Sequence, residues 1–238
     1  MAAALPQRGE ERGRCLVRRL MKEQGLRAIQ PKSYVPKTTQ SDHQKASANL
    51  LKSEEHQATK PKTVIIGDLT YVPLGNGRFC YLASWQDKFT RRIVGWQVDR
   101  TMTEALVIEA LQKALWSGRI EKNAIIQTDR GSQYSSKNFR QLLQEKGLRQ
   151  SMSARGNCYD NAQAESFFAR YKTELLEGGH FENLEQAISE TFSYIEGFYN
   201  RTSLHSGLGY QSPEQFEQNF KNNLVKGALI KRSLSSLT

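Results

Sequence analysis

Apolar runs in the middle of the chain have the length and composition of β-strands. Three of them, rich in β-branched and aromatic residues, cover positions 63–74, 78–87 and 91–98. The dipeptide Asn76-Gly77 separates the first two runs and is typical of hairpin turns. The pattern therefore predicts an antiparallel meander of three strands.

The second half of the chain alternates between helical and strand-like patterns. A fourth strand is predicted over 123–128 and a short fifth one over 148–152. Four helices are predicted to begin near polar residues: Thr101, Ser136, Asp160 and Asn183. The first of these has Glu104 three residues later, which is a capping-box pattern. The order βββαβαβα, followed by a further helix, predicts an α/β ribonuclease H-like fold with a mixed five-stranded sheet flanked by helices.

The two ends of the chain differ from its middle in both pattern and charge. A short basic helix is predicted over 12–24, and a Pro- and Ser/Thr-containing linker over 27–60. We expect residues 1–26 to be a basic helical extension that contacts DNA, 61–217 to form the core, and 218–238 to be a basic tail.

The net charge of +10 comes from these ends. Residues 1–60 contain 12 Lys/Arg against 6 Asp/Glu, 218–238 contain 4 against none, and 61–217 are balanced at 18 against 18. Basic arms around a neutral core are typical of proteins that bind a polyanion such as DNA. A solvated surface that keeps the protein soluble is the alternative interpretation.

Several classes of protein are disfavoured by the composition. At 38% hydrophobic residues, the chain has no apolar run near the roughly 18 residues that cross a bilayer. It opens with no secretory signal pattern, so we expect a cytoplasmic protein without a membrane partner. Its cysteines, Cys15, Cys80 and Cys158, match no zinc or disulfide spacing.

Three carboxylates lie at positions where this fold would bring them together. Asp68 interrupts the first strand, Asp129 ends the fourth, and Glu165 lies in the second turn of a long helix. If the first and fourth strands are neighbours, they are about 4.8 Å apart. Two carboxylates about 4 Å apart repel by roughly 4 kcal/mol at an effective dielectric of 20, and divalent cations such as Mg²⁺ would relieve that repulsion. Taken singly, each carboxylate could equally be an ordinary surface charge.

Five separated motifs in this chain resemble those of one family. The motifs are "GDLTYV" (67–72), "RRIVGW" (91–96), "TDRGSQY" (128–134), "SMSARGNCYDNAQAESFFARYKTEL" (151–175) and "FYNRTSLHSGLGYQSPEQFE" (198–217). From about residue 12 to 217 the sequence resembles bacterial insertion-sequence transposases, in particular the OrfB-type catalytic subunits with an integrase catalytic core. It departs from the usual family pattern at Ile65, where a tryptophan is common, and at Ser203, where an arginine is common.

The resemblance implies a DDE triad formed by Asp68, Asp129 and Glu165, with 35 residues between the last two. These three would be both the catalytic residues and the ligands of two Mg²⁺ (or Mn²⁺) ions. Lys172, two helical turns after Glu165, would hold a DNA phosphate; its alternative is a solvated lysine.

Other residues have roles that the resemblance implies less directly. Arg130, Gln133 and Tyr134 flank the second aspartate, where they would orient DNA or support the site, or simply build the loop. Further candidates for DNA binding lie in the N-terminal helix: Arg18, Arg19 and Lys22. Asn161 and His205 are candidates for site support, with a helix cap and a turn as their structural alternatives.

Enzymes of this family cut one DNA strand at the element's end and use the freed 3′-hydroxyl to attack another phosphodiester. The resemblance therefore implies double-stranded DNA as substrate, both insertion-sequence ends and target, and a homo-oligomer on that DNA. It also implies an upstream-frame helix-turn-helix partner or fusion and a nucleoid-associated location in a bacterial cytoplasm. The alternatives are an N-terminally shortened, catalytically silent DNA-binding remnant and a ribonuclease H-like nuclease without strand transfer. A tyrosine recombinase is disfavoured, because the Arg-His-Arg cluster and nucleophilic tyrosine of that class are not evident.

Overall fold

A computed structural model of the chain describes residues 4–5, 9, 13–27, 47–53, 57–153, 162–177 and 179–235. They divide into two compact units. One unit spans Pro31–Ile195, and the other combines Met1–Gln30 with Glu196–Thr238. The domain boundaries expected from composition remain predictions.

The larger unit is built on a five-stranded mixed sheet. Its strands are β1 (Val64–Pro73), β2 (Phe79–Asp87), β3 (Ile93–Asp99), β4 (Ile125–Thr128) and β5 (Arg149–Met152). The order across the sheet is β3-β2-β1-β4-β5, in which β1, β2 and β3 are antiparallel and β4 pairs in parallel with both β1 and β5. The expected meander and the expected pairing of the first and fourth strands are therefore confirmed.

Helices flank this sheet. They are α2 (Glu104–Trp116), α3 (Lys137–Glu145), α4 (Ala162–Leu176) and α5 (Leu184–Phe192), followed by a π-helical segment, Ser193–Tyr199. The predicted caps of α3 and α5 are confirmed, because Ser136 Oγ accepts from the Phe139 amide and Asn183 Oδ1 accepts from the Gln186 amide. The side chains of both residues thus satisfy amide groups that the first turn of a helix leaves unpaired.

The capping box predicted at Thr101 is wrong. Helix α2 begins at Glu104, and its N-cap residue Thr103 makes no side-chain capping bond. The Glu104 carboxylate instead accepts from the side-chain amide of Asn138 at 2.5 Å. A contact between α2 and α3 has taken the place of the local contact that the spacing predicted.

Trp85 in β2 is the centre of the core on the α2/α3 side of the sheet. Its ring stacks on Phe139, with ring centroids 5.9 Å apart, and its Nε1 donates to the Val107 carbonyl at 3.1 Å. The ring also covers Gly67 of β1 so closely that a Cβ there would lie 2.2 Å from it. The residue before Asp68 is therefore a glycine that lets the tryptophan pack directly on the β1 backbone.

Helix α2 packs on β3 at similarly short range. A Cβ added at Gly95 would lie 2.3 Å from the carbonyl oxygen of Ala110 and 2.9 Å from the Cβ of Ala114. Small residues on both elements therefore set the distance between this helix and the sheet.

Residues 47–53 pack against the β5 edge, although they fall in the segment that composition predicts to be a linker. The Leu50 amide donates to Ser151 Oγ at 2.9 Å, and the Met152 amide donates to the Ala48 carbonyl at 3.3 Å. Leu51 is buried with Val64 and Ile125. This segment extends the core at the edge where β4 and β5 pair.

The smaller unit contains helix α1 (Arg14–Glu23) and helix α6 (Pro213–Ser235), with a 3₁₀ turn at Ser206–Leu208. Helix α1 confirms the helix predicted over 12–24. Helix α6 continues through most of 218–238, so the segment expected to be a tail is helical as far as the structure describes it. None of the described helices combines the length and apolar character needed to cross a membrane.

Replacing Gly95 with alanine should destabilise the larger unit, because the new methyl group meets a backbone carbonyl that cannot rotate away. We expect the free energy of unfolding to fall by about 2–3 kcal/mol, measured by urea denaturation followed by circular dichroism. Gly197→Ala is the matched control, since a Cβ at Gly197 has no neighbour within 4 Å and should change the stability by about 1 kcal/mol or less. Equal stabilities of the two variants would contradict the packing described for α2 and β3.

Candidate active site

Asp68 is a half-buried carboxylate within β1. Its Oδ1 accepts from the Leu69 amide at 2.8 Å. Burial, and then the negative charge of Asp129, raise the pKa of Asp68 to about 8; Glu165 adds to this rise, and the Leu69 amide and Lys172 oppose it. Asp68 is therefore held beside like charges in a setting that disfavours its ionised form.

Asp129 directly follows β4, the strand that pairs in parallel with β1. Ile66 pairs with Gln127 in the parallel β1–β4 ladder, so Asp68 and Asp129 each lie two residues beyond that pair. Asp129 Oδ1 accepts from the Gly131 amide at 2.9 Å, and burial raises the pKa of Asp129. The register of the parallel pair thus places Asp68 and Asp129 at the same level of the neighbouring chain segments.

Glu165 lies in the first turn of α4, a helix that packs against β1. Its side chain is exposed, and its charge contributes to the raised pKa of Asp68. Among the described residues, no three His, Cys, Asp or Glu side chains are grouped closely enough to hold a metal ion. The structure therefore brings Asp68 and Asp129 together and places Glu165 near them as a third, outlying charge.

Lys172 approaches the same pair from α4. Its Nζ lies over the Tyr71 ring, 4.1 Å from the centroid, in a cation–π contact. Burial lowers the pKa of Lys172, and the Asp68 carboxylate opposes that shift. The ammonium group is therefore partly desolvated beside Asp68 rather than free in water.

The loop after β4 is braced by its own polar side chains. Arg130 Nε donates to the Ser153 carbonyl at 3.0 Å, and Gln133 Nε2 donates to the Met102 carbonyl at 3.2 Å. Gly131 fits closely among them, because a Cβ there would lie 3.0 Å from Asp129 Oδ1 and 3.1 Å from Gln133 Oε1. Arg130 and Gln133 thus have structural contacts, and their roles toward DNA remain predictions.

Tyr134, also predicted near the site, lies in the core behind the aspartates. Its ring makes edge contacts with Trp85 and Phe139. Burial, and then the negative charges of Asp68 and Asp129, raise the pKa of the Tyr134 hydroxyl well above its ordinary value. The hydroxyl therefore stays protonated.

A buried polar contact between β4 and the end of β5 was not found by sequence reasoning. Gln127 Nε2 donates to Ser153 Oγ at 2.9 Å, and the Ser153 amide donates to the Thr128 carbonyl at 2.9 Å. Because Arg130 bonds the same serine, Ser153 ties the β5 end to the Asp129 loop. The available signal was Gln127 itself, an amide inside the apolar run "AIIQT" (124–128).

The remaining residues predicted for the site belong to the smaller unit or lie outside the described residues. Three of them are exposed on helix α1 of the smaller unit: Arg18, Arg19 and Lys22. Arg19 pairs with Glu23 at 3.6 Å. His205 is in the same unit, where it is buried and makes an edge contact with Tyr199 at 5.0 Å. Asn161 lies outside the described residues.

The donor set of the site suits a hard divalent cation. Asp68 and Asp129 offer carboxylate oxygens, the ligand type that such a cation prefers, and a cation beside them would offset the burial and repulsion that raise the pKa of Asp68 to about 8.

The fold and this site define a ribonuclease H-like protein with an integrase core. Two family models described as "Integrase core domain" match residues 58–158 and 146–213. The transposase InsF for insertion sequence IS3A of Escherichia coli (strain K12) is 41% identical over 197 residues, which are 83% of this chain and 68% of that protein. The transposase for insertion sequence element IS904 of Lactococcus lactis subsp. lactis (strain IL1403) is 43% identical over 162 residues, or 68% of this chain and 64% of that protein. The chain belongs to the insertion-sequence transposases with an integrase core domain.

Solved structures agree on the fold. The HTLV-2 integrase catalytic core domain in complex with magnesium, in its trimeric form, has a TM-score of 0.53 at 17% identity, covering 68% of this chain and 99% of that one. A chain of the simian T-cell lymphotropic virus intasome, solved in complex with PP2A regulatory subunit B56 gamma, has a TM-score of 0.55 at 16% identity, covering 76% of this chain and 60% of that one.

Replacing Asp68 with asparagine should remove a pH dependence of stability. In the unfolded chain this carboxyl loses its proton near pH 4, whereas in the folded chain its pKa is about 8. Between these values the unfolded state binds fewer protons, so the free energy of unfolding falls as pH rises. Both proteins are melted in EDTA. We expect the melting temperature of the parent minus that of Asp68→Asn to fall by at least about 2–4 °C between pH 5 and pH 8.

Asp99→Asn is the control for this comparison. Asp99 ends β3, an edge strand of the sheet, and its replacement leaves Asp68 and Asp129 in place, so the pH dependence that Asp68 causes should persist in this variant. Parallel melting curves for the parent and Asp68→Asn at every pH would contradict the raised pKa of Asp68.

Proposed function

We propose that this chain cuts and joins DNA strands at the ends of an insertion sequence, with Asp68, Asp129 and Glu165 as its catalytic and metal-binding triad. The observation that carries the proposal is the pair of aspartates on neighbouring strands, in which the charge of Asp129 helps to raise the pKa of Asp68 to about 8. Two like charges placed next to each other destabilise the fold unless a cation compensates them. The pair is therefore best explained as a cation-binding site.

The ions proposed are two Mg²⁺ or Mn²⁺, held by Asp68 and Asp129 with Glu165 completing the set. The related HTLV-2 catalytic core was solved with magnesium, which supports a divalent metal. When bound, such ions would activate the attacking oxygen and stabilise the leaving oxygen of an in-line phosphoryl displacement. Glu165 would join them from the first turn of α4, a helix that packs against β1.

The chain's other residues would place DNA against this pair. Lys172, partly desolvated beside Asp68, is suited to hold a phosphate next to the reacting one. The exposed basic residues of helix α1 would add salt-dependent contacts to the DNA backbone. Double-stranded DNA is the proposed partner for both.

The reaction proposed has two balanced steps. In the first, water attacks a phosphodiester at the end of the element, a new P–O bond forms and the bond to the 3′-oxygen breaks, which leaves a free 3′-hydroxyl. In the second, that hydroxyl attacks another phosphodiester and displaces its 3′-oxygen.

We further propose a homo-oligomer in the bacterial cytoplasm, associated with the nucleoid, because two element ends must be joined in one event. An upstream-frame helix-turn-helix protein would assist by recognising those ends.

The test is strand cleavage and joining on the terminal DNA of the insertion sequence that encodes this chain, with the upstream-frame protein and Mg²⁺ present. Asp129→Asn and Glu165→Gln should each lower the rate at least about 1000-fold, equivalent to about 4 kcal/mol of transition-state stabilisation. DNA binding should be retained, since neither carboxylate attracts a polyanion. Asp99→Asn, which removes an aspartate on the edge strand β3 and leaves the proposed triad intact, should keep the parent's rate.

The other possible outcomes of this assay reject the triad or favour one of the alternative functions. Parental activity in Asp129→Asn would reject the triad. Salt-sensitive DNA binding by the parent, with no metal-dependent cleavage, would identify a silent DNA-binding protein. Cleavage without joining would identify a ribonuclease H-like nuclease.

A further inference from the structure

Asp129 lies just beyond the hydrogen-bonded ladders that hold its strand. The β1–β4 ladder ends at the Ile66–Gln127 pair, and the β4–β5 ladder ends at the Thr128–Met152 pair. A misplacement of about 1 Å can lower the rate of a positioned reaction about 100-fold. A catalytic group beyond the last ladder pair therefore needs a further restraint on its backbone.

Ser153, the residue after β5, is bonded to the residue on each side of Asp129. Its amide donates to the Thr128 carbonyl at 2.9 Å, and its own carbonyl accepts from Arg130 Nε at 3.0 Å. Its hydroxyl accepts from Gln127 Nε2 at 2.9 Å. The amide, carbonyl and hydroxyl of this buried serine are therefore all bonded to the chain segment that carries Asp129.

Arg130 supplies its part of this restraint through an N–H group rather than through its charge. The donor is Nε, and the acceptor is a neutral backbone carbonyl. Such a bond depends on where the donor lies, and any neutral N–H in the same place could make it. The half-buried Arg130 side chain is thus engaged with the end of β5.

We infer that Arg130 is a positioning residue for Asp129, because its Nε–H holds Ser153 and Ser153 in turn holds the chain on both sides of the aspartate. This inference rests on the proposed function, in which Asp129 is a catalytic residue and a metal ligand. Arg130 acts through the Asp129 loop, and its positive charge is not needed for that role. Of the roles that the motif "TDRGSQY" (128–134) leaves open, the bond favours support of the site over contact with DNA.

The test compares Arg130→Met with Arg130→Gln in strand cleavage of the element's terminal DNA, with Mg²⁺ and the upstream-frame protein present. Methionine places a methyl group where Nε stood, whereas glutamine places an amide nitrogen at the same number of bonds from Cα. Both variants lose the charge, and only glutamine keeps the donor. We expect kcat to fall at least about tenfold in Arg130→Met. Arg130→Gln should recover most of that loss, and KM for DNA should stay unchanged in both.

Arg149→Met is the matched control. Arg149 begins β5, and its Nε donates to the Asn123 carbonyl at 3.1 Å, which is the same kind of bond away from Asp129. Its loss should leave kcat at the parent's value. A fall in kcat equal to that of Arg130→Met would show a general loss of structure and would overturn the inference.

A second measurement does not depend on catalysis. The Gly131 amide donates to Asp129 Oδ1 at 2.9 Å, so the rate at which its proton exchanges with solvent, measured by NMR, reports how firmly the aspartate is held. We expect this exchange to be about five- to tenfold faster in Arg130→Met, the effect of losing one hydrogen bond. In Arg130→Gln the exchange should stay close to that of the parent.

Two patterns would overturn the inference. If Arg130→Gln loses as much activity as Arg130→Met, or if both variants raise KM and lower the salt slope of DNA binding by about one, Arg130 binds DNA through its charge. If both variants keep the parent's kcat and the parent's Gly131 exchange, the bond to Ser153 is dispensable.

Asp129→Asn separates these failures from failure of the proposed function. If this variant is inactive and the Arg130 variants behave like the parent, the inference alone fails. If Asp129→Asn keeps the parent's activity, the triad and the inference fall together. If the parent cleaves no DNA but Gly131 exchange responds as expected, the restraint on Asp129 is supported and the proposed function alone fails.

Discussion

The partial burial of two neighbouring carboxylates beside the parallel β1–β4 pair, together with their repulsion, is the constraint on which the rest of the site depends. Asp68 and Asp129 lie two residues beyond the Ile66–Gln127 pair, where neither is fully hydrated. Each receives one backbone hydrogen bond, which stabilises its charge only in part. Because the pKa of Asp68 remains raised to about 8, the pair is arranged at a cost to the metal-free fold. That cost has a simple physical explanation if the pair binds cations.

The core around the aspartates is built to keep them in this arrangement. Gly67 admits the Trp85 ring directly onto the β1 backbone, immediately before Asp68. Trp85 in turn packs against Tyr134, which follows the Asp129 loop. Gly131 allows the Asp129 carboxylate to turn back onto the loop amide. Rigid packing of this kind limits how far like charges can move apart, so relief has to come from a ligand rather than from rearrangement.

Much of this could be predicted from the sequence, for identifiable reasons. The meander and the β1–β4 pairing followed from runs such as "TVIIGDLTYVPL" (63–74) together with the element order, and the aspartates followed from that pairing. Residues 47–53 could not be predicted, because their polar composition gives no sign that Leu50 and Leu51 pack on the sheet edge. The start of α2 was misplaced, since Glu104 bonds to Asn138, 34 residues away, and local spacing cannot show such a contact.

The position of Glu165 marks the limit of sequence reasoning about the site. The motif predicts which glutamate belongs to the triad, and the structure places it near Asp68 without bringing it into a group of three ligands among the described residues. Spacing along the chain does not encode how closely a helix-borne side chain approaches residues on the sheet. The family comparison supports a transposase function, and the aspartate pair remains the part of the proposed triad whose relative placement follows from the strand register.

The most direct test of the central claim is a ¹³C NMR titration of the Asp68 side-chain carboxyl carbon, assigned by comparison with Asp68→Asn. In EDTA the account predicts a pKa near 8 for this group, and saturating Mg²⁺ should move its titration to much lower pH, because the cation favours the ionised carboxylate. An Asp68 carboxyl that titrates near pH 4 in both conditions would contradict the claim that buried like charges form this site.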